Sequence, residues 1–356
     1  MRAELTFTEA IREAINHCMS QDDSVFSIGE GVPDPKGIFG TTLGLREKYG
    51  ADRILDMPLS ENAMTGVCIG SALSGMRPIL MHQRADFAFL SMDQIINNAA
   101  KWYYMFNGQA NTPLVIRMMV GRGWGQGPQH SNSPQSLFAH IPGLKVILPT
   151  NPHDAKGMLI SAIEDDGPVI CIEHRWTHHL KGRVPKEPYR EPLGKARISR
   201  EGNAVTIAAF SYMTIEAISL ADAFKKRGIS IEVIDMRCAS PLDHETVLQS
   251  VRKTGHLVIL DTGWMTCGIS AELSARVTEK GFKYLKKPPL RIALPDIPTP
   301  TSPSLAEKIY PTANILGQEI LKMLSIQNLE DWEKVLRELK GKGPFDVPYL
   351  NFKGPF

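Results

Sequence analysis

Residues 204–234, AVTIAAFSYMTIEAISLADAFKKRGISIEVI, decide the fold class. Ala204 to Phe210 is a short apolar run of strand character, Thr214 to Arg227 repeats its apolar residues at helical spacing and stops at Gly228, and Ile229 to Ile234 is a second strand. Strand, helix and strand at this spacing make a right-handed crossover and therefore a parallel sheet. The pattern carries on downstream, where Leu257 to Asp261 and Leu290 to Leu294 bracket a helix around Ser270 to Lys280. Upstream, residues 6–185 alternate in the same way. Val25 to Ile28 and Leu114 to Met119 read as short strands, and Asp93 to Met105 as an amphipathic helix. Both halves are expected to be α/β with mostly parallel sheets.

Between them Lys181 to Pro192 carries Pro185, Pro188 and Pro192 among charged residues and follows neither period, so it reads as a linker. It separates an expected first domain, 1–185, from a second, 193–325. Residues 326–356 are left as a C-terminal extension, with a short helix from Leu329 to Leu339 and a tail, Phe345 to Phe356, too short to fold alone. A chain of 356 residues is long enough for two cores. Its net charge of +2 gives neither the basic excess of a nucleic-acid binder nor an acidic tail, so no nucleic-acid partner is expected. Cys18, Cys68, Cys171, Cys238 and Cys267 are widely spaced and form no Cys-x-x-Cys pair, which argues against a disulfide framework or a zinc cluster and for a cytoplasmic location. No apolar run reaches the length of a membrane span, so no membrane association is expected. Thr6-Phe7-Thr8-Glu9 fits a helix capping box rather than a signal peptide.

Chemistry enters with Asp56-Met57-Pro58-Leu59-Ser60-Glu61, which resembles the activating-glutamate segment of thiamine diphosphate enzymes. Around it stand Gly29-Glu30, Asp86-Phe87, Asp93-Gln94-Ile95, Gln129-His130-Ser131, the run from His140 to Val146, and Asp154-Ala155-Lys156-Gly157. Gly263-Trp264, Gly268 and Glu272 follow in the second half. In this order the motifs resemble the β subunit of the E1 component of 2-oxo acid dehydrogenases, of pyruvate or branched-chain type, in the transketolase-like thiamine diphosphate superfamily. The resemblance runs from about Thr6 to Met323 and implies a pyrimidine-binding domain followed by a transketolase C-terminal domain. The chain has no Gly-Asp-Gly stretch followed by Asn, the segment that holds magnesium and the diphosphate in such enzymes. It therefore resembles half of an active site.

The resemblance also implies roles. Thiamine diphosphate acts once its thiazolium C2 loses a proton to the cofactor's own imino nitrogen, and a carboxyl bonded to the far side of the aminopyrimidine brings that form about; Glu61 stands at that place. Glu30, Gln83 and Phe87 would complete the cofactor wall, Phe87 by packing on the ring. His130 would face the substrate, orient the 2-oxo acid carboxylate and stabilise charge as carbon dioxide leaves. Arg122, Trp124, Gln126 and His140 are substrate candidates, because the loop Gly121 to Gly127 is richer in glycine and bulkier than expected of a pyruvate enzyme. Arg84, where relatives often carry an apolar residue, points toward an anionic or polar substrate. From the residues alone, Glu61 also fits a helix N-terminus, Phe87 a core aromatic, Glu30 a loop carboxylate, His130 a backbone-bonded loop histidine and His140 a helix cap.

Potassium is implied at backbone oxygens of Leu114, Ala162, Ile163 and Asp165, and magnesium mainly on a partner chain. His174 and His178 are four apart, but that spacing chelates on a helix, and Ile170 to Ile172 reads as a strand running toward the linker. The implied partners are an α subunit carrying the diphosphate and magnesium half-site in an α2β2 assembly, a lipoyl-bearing E2, and a small 2-oxo acid. Trp102, Tyr103, Tyr104 and Met105 are candidates for the subunit interface or for the core. Other functions stay open. In a split transketolase, ketose-cleaving relatives often carry aspartate where Gln126 stands. A biosynthetic thiamine diphosphate acyl transferase is a second, and a non-catalytic assembly module, which would need none of Glu61, Phe87 and His130, a third.

Overall fold

The computed structural model describes residues 2–122, 125–328 and 330–339. They fall into two compact units, one of residues 2–121 and 129–194, the other of 122–128 and the described part of Lys195–Pro355. Both have the expected α/β architecture.

In the first unit the elements are β1 (Arg2–Thr6), α1 (Phe7–Gln21), β2 (Val25–Gly29), α2 (Leu45–Tyr49), β3 (Ile54–Leu55), α3 (Glu61–Leu73), β4 (Arg77–His82) and the single turns α4 (Ala85–Ala88) and α5 (Trp102–Met105). They continue as β5 (Val115–Val120), α6 (Gln135–Ala139), β6 (Lys145–Ile147), α7 (Pro152–Glu164), β7 (Val169–His174) and β8 (Lys181–Pro185). The main sheet runs β6-β7-β5-β4-β2-β3 with every neighbouring pair parallel. Its strands are apolar on both faces, as a sheet covered by helices on both sides requires. Helix α1 opens with the expected capping box: Thr6 Oγ1 accepts from the Glu9 amide at 3.2 Å, and the Thr6 amide donates to Glu9 Oε2 at 2.7 Å. Its Phe7, Ala10, Ile11, Ala14, Ile15, Cys18 and Met19 are buried, and the helix packs along α7.

A charge pair sits inside this apolar layer. Arg117 on β5 and Glu173 on β7 have fully buried side chains and meet through two bonds, Nε to Oε1 at 2.6 Å and Nη2 to Oε2 at 3.0 Å. Burial alone would raise the Glu173 carboxyl; the Arg117 charge and bonds from Arg117 and His178 bring it down to about 2 instead. His178, also fully buried, stands 3.3 Å from Glu173 and stacks on Phe7 with centroids 5.5 Å apart. Burial holds its imidazole neutral, down to about 4.

Two local expectations are corrected. Residues 93–105 are not one α-helix: Gln94–Ala99 winds as a wider π-turn and the chain bends before α5. The Ala100 amide bonds back to the Ile95 carbonyl, five residues away, the Ala99 carbonyl also accepts from Thr112 Oγ1 at 3.0 Å, and the backbone at Gly143 packs so closely on the Ala100 carbonyl that no Cβ fits. The proline-rich stretch 181–192 is also ordered in its first half, because β8 pairs antiparallel with β1. Pro185 is tolerated as the last residue of that two-stranded ribbon.

The second unit contains β9 (Arg197–Arg200), β10 (Val205–Ala209), α8 (Met213–Lys225), β11 (Ile231–Asp235), β12 (Cys238–Ser240), α9 (His244–Thr254), β13 (Leu257–Trp264), α10 (Ile269–Gly281), β14 (Leu290–Leu294), α11 (Pro303–Ile309), α12 (Ala313–Met323) and α13 (Glu330–Leu339). Its sheet order is β14-β13-β10-β11-β9, parallel except for β9 against β11. Helix α13 docks on this unit's own core, with the Trp332 ring 4.5 Å from that of Phe224. The tail Phe345 to Phe356 lies outside the described residues.

His82, at the end of β4, is buried with neither ring nitrogen hydrogen-bonded, and burial lowers its pKa to about 4. A histidine whose folded pKa lies below its unfolded value gives stability that is present above pH 6.5 and lost as pH falls toward 4, here about 3 kcal/mol. The His82→Phe variant should therefore lose less stability than the wild type between pH 7 and pH 4 in urea titrations. Parallel losses in the two proteins would refute the assignment.

Candidate active site

The order β3-β2-β4 places the connection leaving β2 on one side of that strand and the strand after next on the other. In parallel sheets such a switch point opens a crevice beyond the carboxyl ends of the strands. Glu30 follows β2 and Gln83 follows β4 at this crevice, and Gln83 Nε2 donates to the Glu30 carbonyl at 3.1 Å. The two strands approach so closely that a Cβ on Gly29 would strike the Met81 carbonyl. The Gly31 amide, held at φ 70°, donates to Asp56 Oδ1 at 3.1 Å.

Asp56 begins the segment that leads into α3, and Glu61 is the first residue of that helix. Its side chain is buried at 8% exposure, and Ser60 makes no side-chain cap. A helix start suits a carboxylate electrostatically, but a surface cap would leave it in water. Burial raises the Glu30 carboxyl above the ordinary range, and the nearby charges of Glu61 and Asp56 raise it further. Three carboxyl groups from two segments, the one after β2 and the one between β3 and α3, thus converge on one crevice.

The same edge of the sheet brings a second group together. Phe87, on α4, meets the His130 ring edge-on, with centroids 5.3 Å apart and planes at 86°. Asn132 Nδ2 donates to Asp86 Oδ1, and burial raises the Asp86 carboxyl while Asn132 and His130 oppose the shift. Arg84 is buried, donates Nη1 to the Gly121 carbonyl at 3.0 Å and has its pKa lowered by burial to about 10. It braces the end of β5, the point from which the glycine-rich loop departs. Glu30 Oε1, Asp86 Oδ2, Ser131 Oγ and both ring nitrogens of His82 are buried without a hydrogen-bond partner. Orphaned buried polar atoms are costly, and several in one region mark a place shaped for a ligand.

The remaining candidates lie elsewhere or are committed to other contacts. His140 is exposed and caps the end of α6 through its backbone. Arg122 and Gln126 belong to the second unit, where the Arg122 guanidinium lies 3.6 Å from the centroid of the Tyr310 ring. Trp124 lies outside the described residues. Of the oxygens implied for potassium, Ile163 O and Asp165 O accept from Arg77 Nη1 at 3.1 and 3.0 Å, Leu114 O from the Val169 amide and Ala162 O from the Asp165 amide. A guanidinium already supplies positive charge there, so the set does not fit a potassium ion. His178 is taken up by Glu173 and His174 Nδ1 by the Trp176 amide, so this histidine pair is structural.

Comparisons with known proteins show the family. The transketolase pyrimidine-binding domain matches residues 3–178, and the transketolase C-terminal domain matches residues 194–315. The β subunit of acetoin:2,6-dichlorophenolindophenol oxidoreductase from Cupriavidus necator is 44% identical over 88% of this chain and 95% of its own. The corresponding subunit from Bacillus subtilis is 39% identical over 91% and 98%. The chain belongs to the E1 β-subunit family of 2-oxo acid dehydrogenases. The mitochondrial pyruvate dehydrogenase E1 β subunit of Ascaris suum, 39% identical over 91% of both chains, is another member. A split-gene transketolase described as an inactive β4 tetramer superposes with a TM-score of 0.73 over 91% of this chain and 99% of its own at 21% identity, and shares the fold.

The family is one of thiamine diphosphate enzymes. Carboxyl groups for ring nitrogens, an aromatic face and unbonded polar atoms at one edge of the sheet fit an aminopyrimidine. Sequence reasoning took Glu30, Glu61, Gln83, Phe87 and His130 as site residues but assigned no role to Asp56, Asp86 or Asn132, whose partners come from distant segments, nor to His82, whose ring nitrogens are buried without a partner. Because the raised Glu30 carboxyl contributes stability only below its unfolded pKa, the Glu30→Gln variant of the cofactor-free chain should melt at a higher temperature than wild type at pH 7. The gain should vanish below about pH 4, where glutamates are protonated in both states.

Proposed function

We propose that this chain forms the pyrimidine side of a thiamine diphosphate site and works with an α subunit, which supplies the magnesium and diphosphate side, to decarboxylate a 2-oxo acid and pass the acyl unit to a lipoyl-type acceptor. The observation that carries this reading is the buried Glu61 at the head of α3, near enough to Glu30 for its charge to raise the Glu30 carboxyl. When bound, the cofactor supplies a nucleophilic carbon and an electron sink. Glu61 would hold a proton at the pyrimidine N1' atom, with Glu30 and Gln83 beside it and Phe87 packing on the ring. His130, steadied edge-on by Phe87, would donate to the substrate and stabilise negative charge as the bond breaks. Asn132 and Asp86 would fix the segment that carries His130. Potassium is left out, because Arg77 already holds two of the four oxygens.

The partner reading rests on exposed apolar surface. Tyr103, Tyr104 and Met105 are 60%, 88% and 55% exposed, and Leu59, two residues before Glu61, is 82% exposed. Large apolar side chains left in water suit burial against other chains of an α2β2 assembly. The free cysteines, four of the five buried, suit a reducing compartment such as the cytoplasm. Among the described residues no helix is long and apolar enough to cross a membrane.

A second reading differs in substrate: two relatives are named for acetoin, a neutral hydroxyketone. Arg84, committed to the Gly121 carbonyl, gives no specific support to an anionic substrate. Co-expression with the α partner, then dye-linked assay of pyruvate, branched-chain 2-oxo acids, acetoin and ketose phosphates, separates the readings. A 2-oxo acid is expected to be turned over fastest; acetoin as the best substrate would favour the second reading, and ketose phosphates a transketolase. Glu61→Gln should slow turnover by about 10²–10⁴-fold with the assembly intact by size-exclusion chromatography, and near-normal turnover would remove Glu61 from the mechanism. Tyr104→Asp should leave the chain folded and weaken its association with the partner, as read by sedimentation.

A further inference from the structure

Outside this site, one cluster of ligating side chains stands at the head of α7. His153 and Asp154 occupy the first turn of the helix, and Glu191 comes from the stretch that follows β8. His153 Nδ1 lies 3.6 Å from Asp154 Oδ1 and 3.6 Å from Glu191 Oε1, and the three donor atoms lie within 4.8 Å of one another. The Asp154 side chain is fully buried, that of Glu191 is 16% exposed and that of His153 31% exposed. The Nδ1 atom itself is shielded from solvent and has no hydrogen-bond partner.

A separation of 3.6 Å is too long for a hydrogen bond. It is close to the spacing of two donors that share one metal ion. With metal–nitrogen and metal–oxygen bonds of about 2.0–2.2 Å, the edge of a tetrahedron is about 3.4 Å. The donors are also held in place. The His153 ring stacks on Tyr189 with centroids 4.6 Å apart, and Tyr189 donates its hydroxyl to the His153 carbonyl at 2.6 Å. Asn151 Nδ2 donates to Asp154 Oδ2 at 2.7 Å, while Oδ1 is the oxygen 3.6 Å from His153 Nδ1. Gly157 lets the Tyr189 and Glu191 side chains lie directly on the helix, where a Cβ would strike both. The nearby cation, Lys156, is turned to Glu13 and to the carbonyls of Pro185 and Lys186. The helix N-terminus opposes a cation with a partial charge of about +0.5, which two carboxylates outweigh.

We infer that His153, Asp154 and Glu191 form a site for one divalent cation of the zinc class, with a fourth position open to water. An imidazole and two carboxylates suit zinc, cobalt or nickel better than magnesium, which prefers oxygen donors. The ion would fasten the segment after β8 to the head of α7, on this chain alone and independently of thiamine diphosphate.

The test uses the full chain, with its partner where the partner is needed for folding, stripped of metal by a chelator and kept free of thiamine diphosphate. Titration with cobalt(II) should give visible ligand-field absorption that saturates at one ion per chain, and zinc(II) should displace it. His153→Ala and Glu191→Gln should each weaken binding by at least about 100-fold, since loss of a ligand should exceed the 10–100-fold cost of losing an outer partner. Circular dichroism checks the fold of each variant; if His153→Ala unfolds, His153→Gln and Glu191→Gln carry the test. Absence of saturable binding, or equal binding by the folded variants, would overturn the inference and leave the three side chains a polar contact that holds the segment after β8 without an ion.

Discussion

The Arg117–Glu173 pair is the interaction on which the first unit turns. The two residues are 56 apart in sequence and lie on neighbouring central strands, in a layer otherwise filled by apolar side chains. Such a pair contributes little net stability over apolar packing, because desolvating both ions costs nearly what their attraction returns. Losing one partner, however, leaves a charge stranded in the core, at a cost of about 3–5 kcal/mol. The pair therefore specifies more than it stabilises: it sets β5 against β7. From the ends of those strands depart Gly121, braced by Arg84, and His174, against whose ring Gly121 packs so closely that no Cβ would fit. Glu173 also holds His178, whose stacking on Phe7 ties the start of α1 to the sheet.

The site inherits its geometry from that framework. Parallel strands deliver every following loop to one edge, so Glu30, Gln83 and the segment before Glu61 meet without being close in sequence. Placing carboxyl groups together in a partly dry crevice is unfavourable for the empty chain, as the raised Glu30 carboxyl shows. A bound aminopyrimidine would offset that cost by bonding to them. Stability and function oppose each other at this point, as is common at sites built for a ligand.

Much of this was legible in the chain itself. The strands at 25–29, 115–120 and 290–294 and the helix at 213–225 lie close to where apolar periodicity puts them, because burial on a sheet or a helix face imposes a local repeat. The Thr6 capping box is equally local. What failed was also local in form but decided at a distance. The helix expected over 93–105 widens into a π-turn where Thr112 bonds the Ala99 carbonyl and the Gly143 backbone packs against Ala100, and the stretch 181–185 becomes a strand because β1 offers it a ladder. Glu61, Phe87 and His130 could be named as candidates from short motifs. The orphaned ring of His82 could not, since a histidine inside an apolar strand has no sequence signal of its own.

The sequence by itself thus determined the α/β class and the family and singled out the carboxylate at the head of α3 as a candidate, all from contacts or motifs within a few residues. Only the tertiary structure decided which groups share a field: Glu61 with Glu30 and Asp56, Asp86 with Asn132, Arg77 with the carbonyls of Ile163 and Asp165, and His153 with Glu191. Periodicity reports whether a side chain faces the core or the solvent. Charge, proton affinity and metal affinity depend on what stands opposite, and the crossing of distant strands fixes that.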